Sequence, residues 1–159
     1  MAREDRLRRP TEHEPLIGAL SGKEGPFSAM VDVLMFAAVL GRNKSKREPF
    51  EKAGEPIRLS IMEGRQYGDV LIDMVAVAEM PDDPKILSDE RQPERVKIFE
   101  EYANGGLNYI QGEVNASGGQ DYVSIISNLV MDTLTAPDEH QSDISELVKA
   151  TSLDWNLGE

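Results

Sequence analysis

Apolar residues gather along this chain in blocks whose spacing is helical almost throughout. Between Phe27 and Leu40, the residues Met30, Val31, Val33, Leu34, Phe36, Ala37, Ala38 and Leu40 leave almost no polar face. A helix of that kind needs cover around most of its circumference. The pattern predicts a core helix here, with Gly41 as its left-handed C-cap and Arg42, Lys44, Lys46 and Arg47 gathered at its negative dipole end. A companion helix is predicted from Asp69 to Met80, rich in Val, Leu, Ile and Met, with Asp69, Asp73 and Glu79 sharing a solvent edge.

Weaker patterns fill the remainder. Thr11 to Glu14 has capping-box spacing ahead of Leu16, Ile17 and Leu20, which predicts a short helix reaching Ser21. Residues 57–61 alternate with period two and read as a short strand that pairs with the N-terminal arm, pairs with a second copy, or stands alone. From Glu94 to Ala103 the spacing is helical again, and Asn104-Gly105-Gly106 then kinks the helix or ends it before a restart at Leu107, since each glycine costs about 1 kcal/mol relative to alanine. Helices are also predicted over Asp121 to Leu134 and Ser142 to Ala150, and Trp155 stands out in a loose tail. The fold class is mostly α, a compact bundle of about five or six helices with at most one short extended segment at 57–61. Residues 1–10 read as a mobile basic arm, 11–150 as a single helical domain and 151–159 as a C-terminal tail.

Composition narrows the function classes. A length of 159 residues suits one domain. No apolar run approaches the roughly 18 residues that span a bilayer, and Arg3, Arg6, Arg8 and Arg9 are not followed by the apolar stretch of a secretory signal, so a cytoplasmic protein is expected. The absence of cysteine excludes disulfides, thiolate catalysis and zinc-thiolate sites. Net charge is −12, unevenly spread. Residues 1–10 carry four arginines against two acids and residues 42–52 carry five Lys/Arg against two acids, while the rest is acidic. Large acidic surfaces repel a phosphate backbone, which argues against a free-standing DNA binder.

Candidate chemistry is sparse. His13 and His140 lie far apart without partners at ligand spacing, so surface placement is expected for both. No P-loop or dinucleotide-binding fingerprint occurs. Asp82, Asp83, Asp89 and Glu90 lack the spacing of a calcium loop, and Glu94 with Lys97 lacks the spacing of a nuclease motif. The expectation is therefore a protein that is not an enzyme, with no metal and no cofactor. The basic turn remains, with Arg42, Lys44, Lys46 and Arg47 as candidates for contact with phosphates or with an acidic partner surface.

Three phrases carry a resemblance: Gly25 to Gly41, Gly54 to Arg58, and Arg95-Val-Lys-Ile-Phe-Glu-Glu-Tyr-Ala-Asn-Gly-Gly-Leu107. In this order they resemble the family called DNA phosphorothioation (Dnd) system-associated protein 4, and nothing after about Asn115 contributes to the likeness. The resemblance implies a setting beside bacterial systems that place sulfur in the DNA backbone and restrict invading DNA, and it implies no catalytic residues. The resulting expectation is an accessory or adaptor subunit of a phage-defence complex. Its expected partners are proteins of the same operon, with DNA and a second copy of the chain as further candidates and no membrane. Two alternatives stand beside it: a small homodimeric, ribbon-helix-helix-like DNA-binding regulator using residues 57–61, and an acidic DNA mimic acting on a nuclease.

Overall fold

The computed structural model describes residues 6–135. Among them are six α-helices and one two-stranded sheet, in keeping with the mostly α class read from the sequence. The longest helix, α5 (Gln92–Ala116), organises the others. Pro93 sits in its first turn beside Glu94, where a missing N–H costs nothing and an acid faces the positive dipole end. Beyond its C-terminus, Gly118 and Gly119 turn the chain with φ of 67° and 101°. From Ile98 to Leu107 every residue of α5 is buried. Complete burial of a side chain such as Phe99 or Leu107 contributes roughly 1.5–3 kcal/mol.

Helix α2 (Met30–Asn43) is the principal partner of α5. At their contact the two run antiparallel: Gly106 abuts the Ala37 carbonyl, and Gly41, one turn further along α2, abuts the Tyr102 carbonyl, one turn back along α5. Gly105 lies against the carbonyl of Lys46. A Cβ at any of the three would overlap a backbone oxygen. This close approach explains two departures from the sequence reading. Asn104-Gly105-Gly106 neither kinks nor ends the helix, because the packing that the missing side chains allow outweighs their propensity cost. Gly41 is not the C-cap either: α2 runs from Met30, rather than Phe27, on to Asn43, and the left-handed position is Ser45, at φ 55°.

Helix α4 (Gly68–Glu79) buries Ile72, Val75 and Ala76 and leaves Val70, Met74 and Val77 exposed. It is therefore covered on one side only, rather than enclosed as a central helix. The acids assigned to its solvent edge are partly engaged, with Asp73 held by Arg95 at 2.8 Å and Glu79 by Arg47 at 3.2 Å. Arg95 is itself buried and also donates to the carbonyls of Ile86 and Ser88, which ties the turn after α4 to the start of α5.

The N-terminal segment differs from expectation. Strand β1 (Arg6–Leu7) pairs antiparallel with β2 (Ile57–Arg58), Leu7 is buried, and Pro10 bridges to Ala53. Residues 6–10 of the expected mobile arm thus belong to the fold, because Leu7 and Pro10 fill the core, whereas residues 1–5 lie outside the described residues. Only two residues of the expected 57–61 strand are extended. Leu59–Glu63 turn into the short helix α3, which buries Leu59 and Met62, and the pairing of β2 is made within the chain.

Thr11 caps nothing: Thr11–His13 form a 3-10 turn ahead of α1 (Glu14–Leu20), and Glu14 lies 3.3 Å from Arg9 instead of reaching back to Thr11. His13 is 3% exposed, a buried residue and not the surface histidine expected, because the 3-10 turn faces it inward with Leu16 and Ile17 following. His140, Trp155 and the helix expected over 142–150 lie outside the described residues.

Helix α6 (Tyr122–Thr135) starts where Asp121 accepts a 2.7 Å hydrogen bond from the Ser124 N–H, an N-cap geometry. The first compact unit of the chain ends at Ile126, within α6.

Two glycines of α5 test the packing. Gly106→Ala is expected to destabilise by about 1–3 kcal/mol despite its better helix propensity, whereas Gly112→Ala, where a Cβ meets nothing within 4 Å, is expected to stabilise by about 0.5–1 kcal/mol. Urea unfolding of both variants checks this; a neutral or stabilising Gly106→Ala contradicts the close crossing.

Candidate functional site

The basic turn closes α2 beside the middle of α5. The Lys44 N–H donates to the Leu40 carbonyl at 2.9 Å and the Lys46 N–H to the Gly41 carbonyl at 2.8 Å, so the left-handed Ser45 satisfies the helix end and sends the chain back along α5. The Glu48 N–H then donates to the Glu101 carbonyl, and Asn104 Nδ2 donates to the Glu48 carbonyl at 2.9 Å. These bonds hold the turn at a fixed place on α5.

The structure divides the four sequence candidates into two pairs. Arg47 is tied to the fold although its side chain is 36% exposed: its Nε and Nη2 donate to Glu101 at 3.0 and 2.8 Å, and its Nη1 donates to Glu79 at 3.2 Å. Arg42 donates through Nη2 to the Ala78 carbonyl at 3.0 Å, in the last turn of α4, where a cation meets the negative dipole end. Its guanidinium also lies 5.9 Å from the centre of the Tyr102 ring. Lys44 and Lys46 do neither. Their ammonium groups lie 5.1 and 5.6 Å from the Tyr109 ring centre, and neither has a carboxylate partner among the described residues. Two lysines against one half-buried aromatic ring form a small cationic surface of the kind that attracts a phosphate.

Behind this surface is an acidic row on α5 that sequence reading missed. Glu100 and Glu101 are each 4% exposed. Glu101 is held by Arg47, while Glu100 accepts from the Arg8 backbone N–H and from Arg8 Nε at 3.2 Å. Burial pushes the Glu100 carboxyl above the ordinary range, and its bonds to Arg8 offset this only in part. Tyr102 donates to Glu79, and its phenol is raised first by burial and then by that carboxylate. Local spacing hides this burial, because Glu100 and Glu101 share the polar side of α5 with Lys97, Asn104 and Asn108, and it is the distant Arg8 and the Arg47–Glu48 segment laid over that side that cover them.

A cleft of about 630 Å³ lies beside the turn, lined by Glu12, Glu48, Phe50, Glu51, Lys52 and Asn104 among others. Three carboxylates against one lysine make it a place for hydrogen-bond donors rather than for phosphate. In the acidic turn after α4, Asp83 accepts from Arg91 at 2.6 Å and Arg91 also holds Glu94, so these groups pair with one another.

Glu100 gives this row a pH signature. Its folded value lies above the unfolded value of about 4.3, so at neutral pH the folded state carries the cost of a buried charge, and stability recovers as pH falls through the folded value. Glu100→Gln is expected to be more stable than the parent at pH 7, with the difference shrinking toward pH 4. Thermal melts across that range check it, and a difference that widens on acidification contradicts it.

The family model described as DNA sulphur modification system-associated protein 4 matches residues 6–148. That span includes the sheet, the basic turn and all of α5. No curated protein and no solved structure matches this chain.

Proposed function

Because the chain belongs to the DNA sulphur modification system-associated protein 4 family, we propose that it is a non-catalytic accessory subunit. In this reading it joins proteins of that defence system and offers them a local phosphate-binding surface. The observation that carries the reading is the division of the basic turn. Arg42 and Arg47 hold the turn to α4 and α5, and Lys44 and Lys46 are left beside Tyr109 with no carboxylate partner among the described residues. An isolated chain of net charge −12 is a poor ligand for DNA. A partner that neutralises part of the acidic surface leaves the two lysines able to act, so the protein works as a component and not alone. No described helix is long and apolar enough to cross a membrane.

Co-expression with the neighbouring genes of the system, followed by affinity purification, tests the accessory role; elution alone, with no change in any partner's activity, would overturn it. DNA retention by the purified assembly tests the surface. Changing Lys44 and Lys46 to Glu is expected to weaken retention and to reduce the slope of log affinity against log salt by about 2, one for each lost phosphate contact. An unchanged slope removes these lysines from the DNA contact.

A further inference from the structure

The outer face of α4 is apolar where water meets it. Tyr67, Val70, Met74 and Val77 are 68%, 41%, 61% and 41% exposed. Their spacing of three, four and three residues places them in one line along the helix, the seam by which one helix receives another. The opposite face is already used, with Ile72, Val75 and Ala76 buried. The helix is thus apolar on two opposite faces with an acidic edge between them, a pattern that suits an element packed on both sides. Its first position is also unusual. Tyr67 occupies the left-handed region at φ 66°, a conformation that costs a bulky residue of order 1 kcal/mol, and it holds the aromatic ring outward at the head of the line. Exposed aromatic residues in such a setting are the usual anchors of interfaces.

Charge decides what covers this face. Asp69 and Asp73 follow the seam along one edge, one helical turn apart, and Asp73 remains half exposed although it accepts from Arg95. A second copy laid antiparallel across a two-fold axis would set this acidic edge against itself, and each copy would bring a net charge of −12 to the contact. A helix with lysine or arginine beside its apolar seam meets the same edge favourably. We propose that the outer face of α4, headed by Tyr67, docks an amphipathic helix of a partner protein whose apolar stripe is flanked by basic residues. The mode is helix against helix, with Val70 and Met74 at the centre and Asp69 setting the partner's orientation.

This inference rests on the accessory-subunit reading and names the surface that joins the partner. The test uses the full chain, tagged and co-expressed with the neighbouring proteins of the system. A photoreactive benzophenone side chain is placed at position 74 and, as a control, at the exposed position 112 of α5. Irradiation is expected to link position 74, and not position 112, to a partner segment with apolar residues at helical spacing and a net positive charge, identified by mass spectrometry. Val70→Glu and Met74→Glu, with unchanged thermal melts, are expected to reduce recovered partner at least about tenfold. If the parent chain recovers no protein of the system, the accessory reading fails and takes this one with it. If partner is recovered but position 74 links to a second copy or to an acidic segment, or the Glu variants recover as much as the parent, the α4 face is not the docking surface and the accessory reading stands.

Discussion

The fold depends on how closely two backbones approach. Where α2 crosses α5, the contact is made by Gly41 and Gly106 against the carbonyls of Tyr102 and Ala37, with Gly105 against Lys46 one step away. Interiors are packed as densely as organic crystals, so a side chain added at this crossing has nowhere to go. Everything else on α5 follows from that spacing. With α2 so near, the polar groups at Glu101 and Asn104 come within reach of the segment that leaves α2, and Arg47 and the Glu48 backbone occupy them. The basic turn is therefore a product of the crossing and not an independent loop.

Cation type separates the two kinds of charge in this protein. Among the described residues every ion pair is made by an arginine: Arg8, Arg9, Arg47, Arg65, Arg91 and Arg95. A planar guanidinium can hold two carboxylates or a carboxylate and two carbonyls at once, as Arg47 and Arg95 do, and it is desolvated at less cost than an ammonium. Lys44 and Lys46 stand in the same short turn as Arg42 and Arg47 and remain outside that network. The buried acids are thus neutralised from within, and the net negative charge lies on carboxylates nearer the surface.

Helical periodicity made α2, α4 and α6 legible, because a continuous apolar face needs only local spacing to be read. The family phrase was legible too, and the matching model spans more of the chain than the resemblance did, reaching residue 148. What escaped were properties that depend on a distant partner. The glycines at 105 and 106 look like a break until the Ala37 and Lys46 carbonyls are placed beside them. Thr11 to Glu14 has the spacing of a capping box, but Arg9 competes for the Glu14 carboxylate. Arg42 and Arg47 look the same as Lys44 and Lys46 in a charge count, and only the positions of Ala78, Glu79 and Glu101 tell them apart. His13 was misplaced for a similar reason, since polar neighbours in sequence do not show which way a 3-10 turn faces.

One turn of α5 gathers segments that are far apart along the chain: Arg8 meets Glu100 across 92 residues, Arg47 meets Glu101 across 54, and Glu79 meets Tyr102 across 23. During synthesis the strand, the core helix and the basic turn all emerge before the helix that holds them. Until about residue 107 is available they have apolar faces without a cover, and Arg8 and Arg47 lack the Glu100 and Glu101 carboxylates that hold them. Assembly is consequently gated by the last partner to arrive, a high-contact-order arrangement in which no fragment ending before α5 contains the contacts that define the fold.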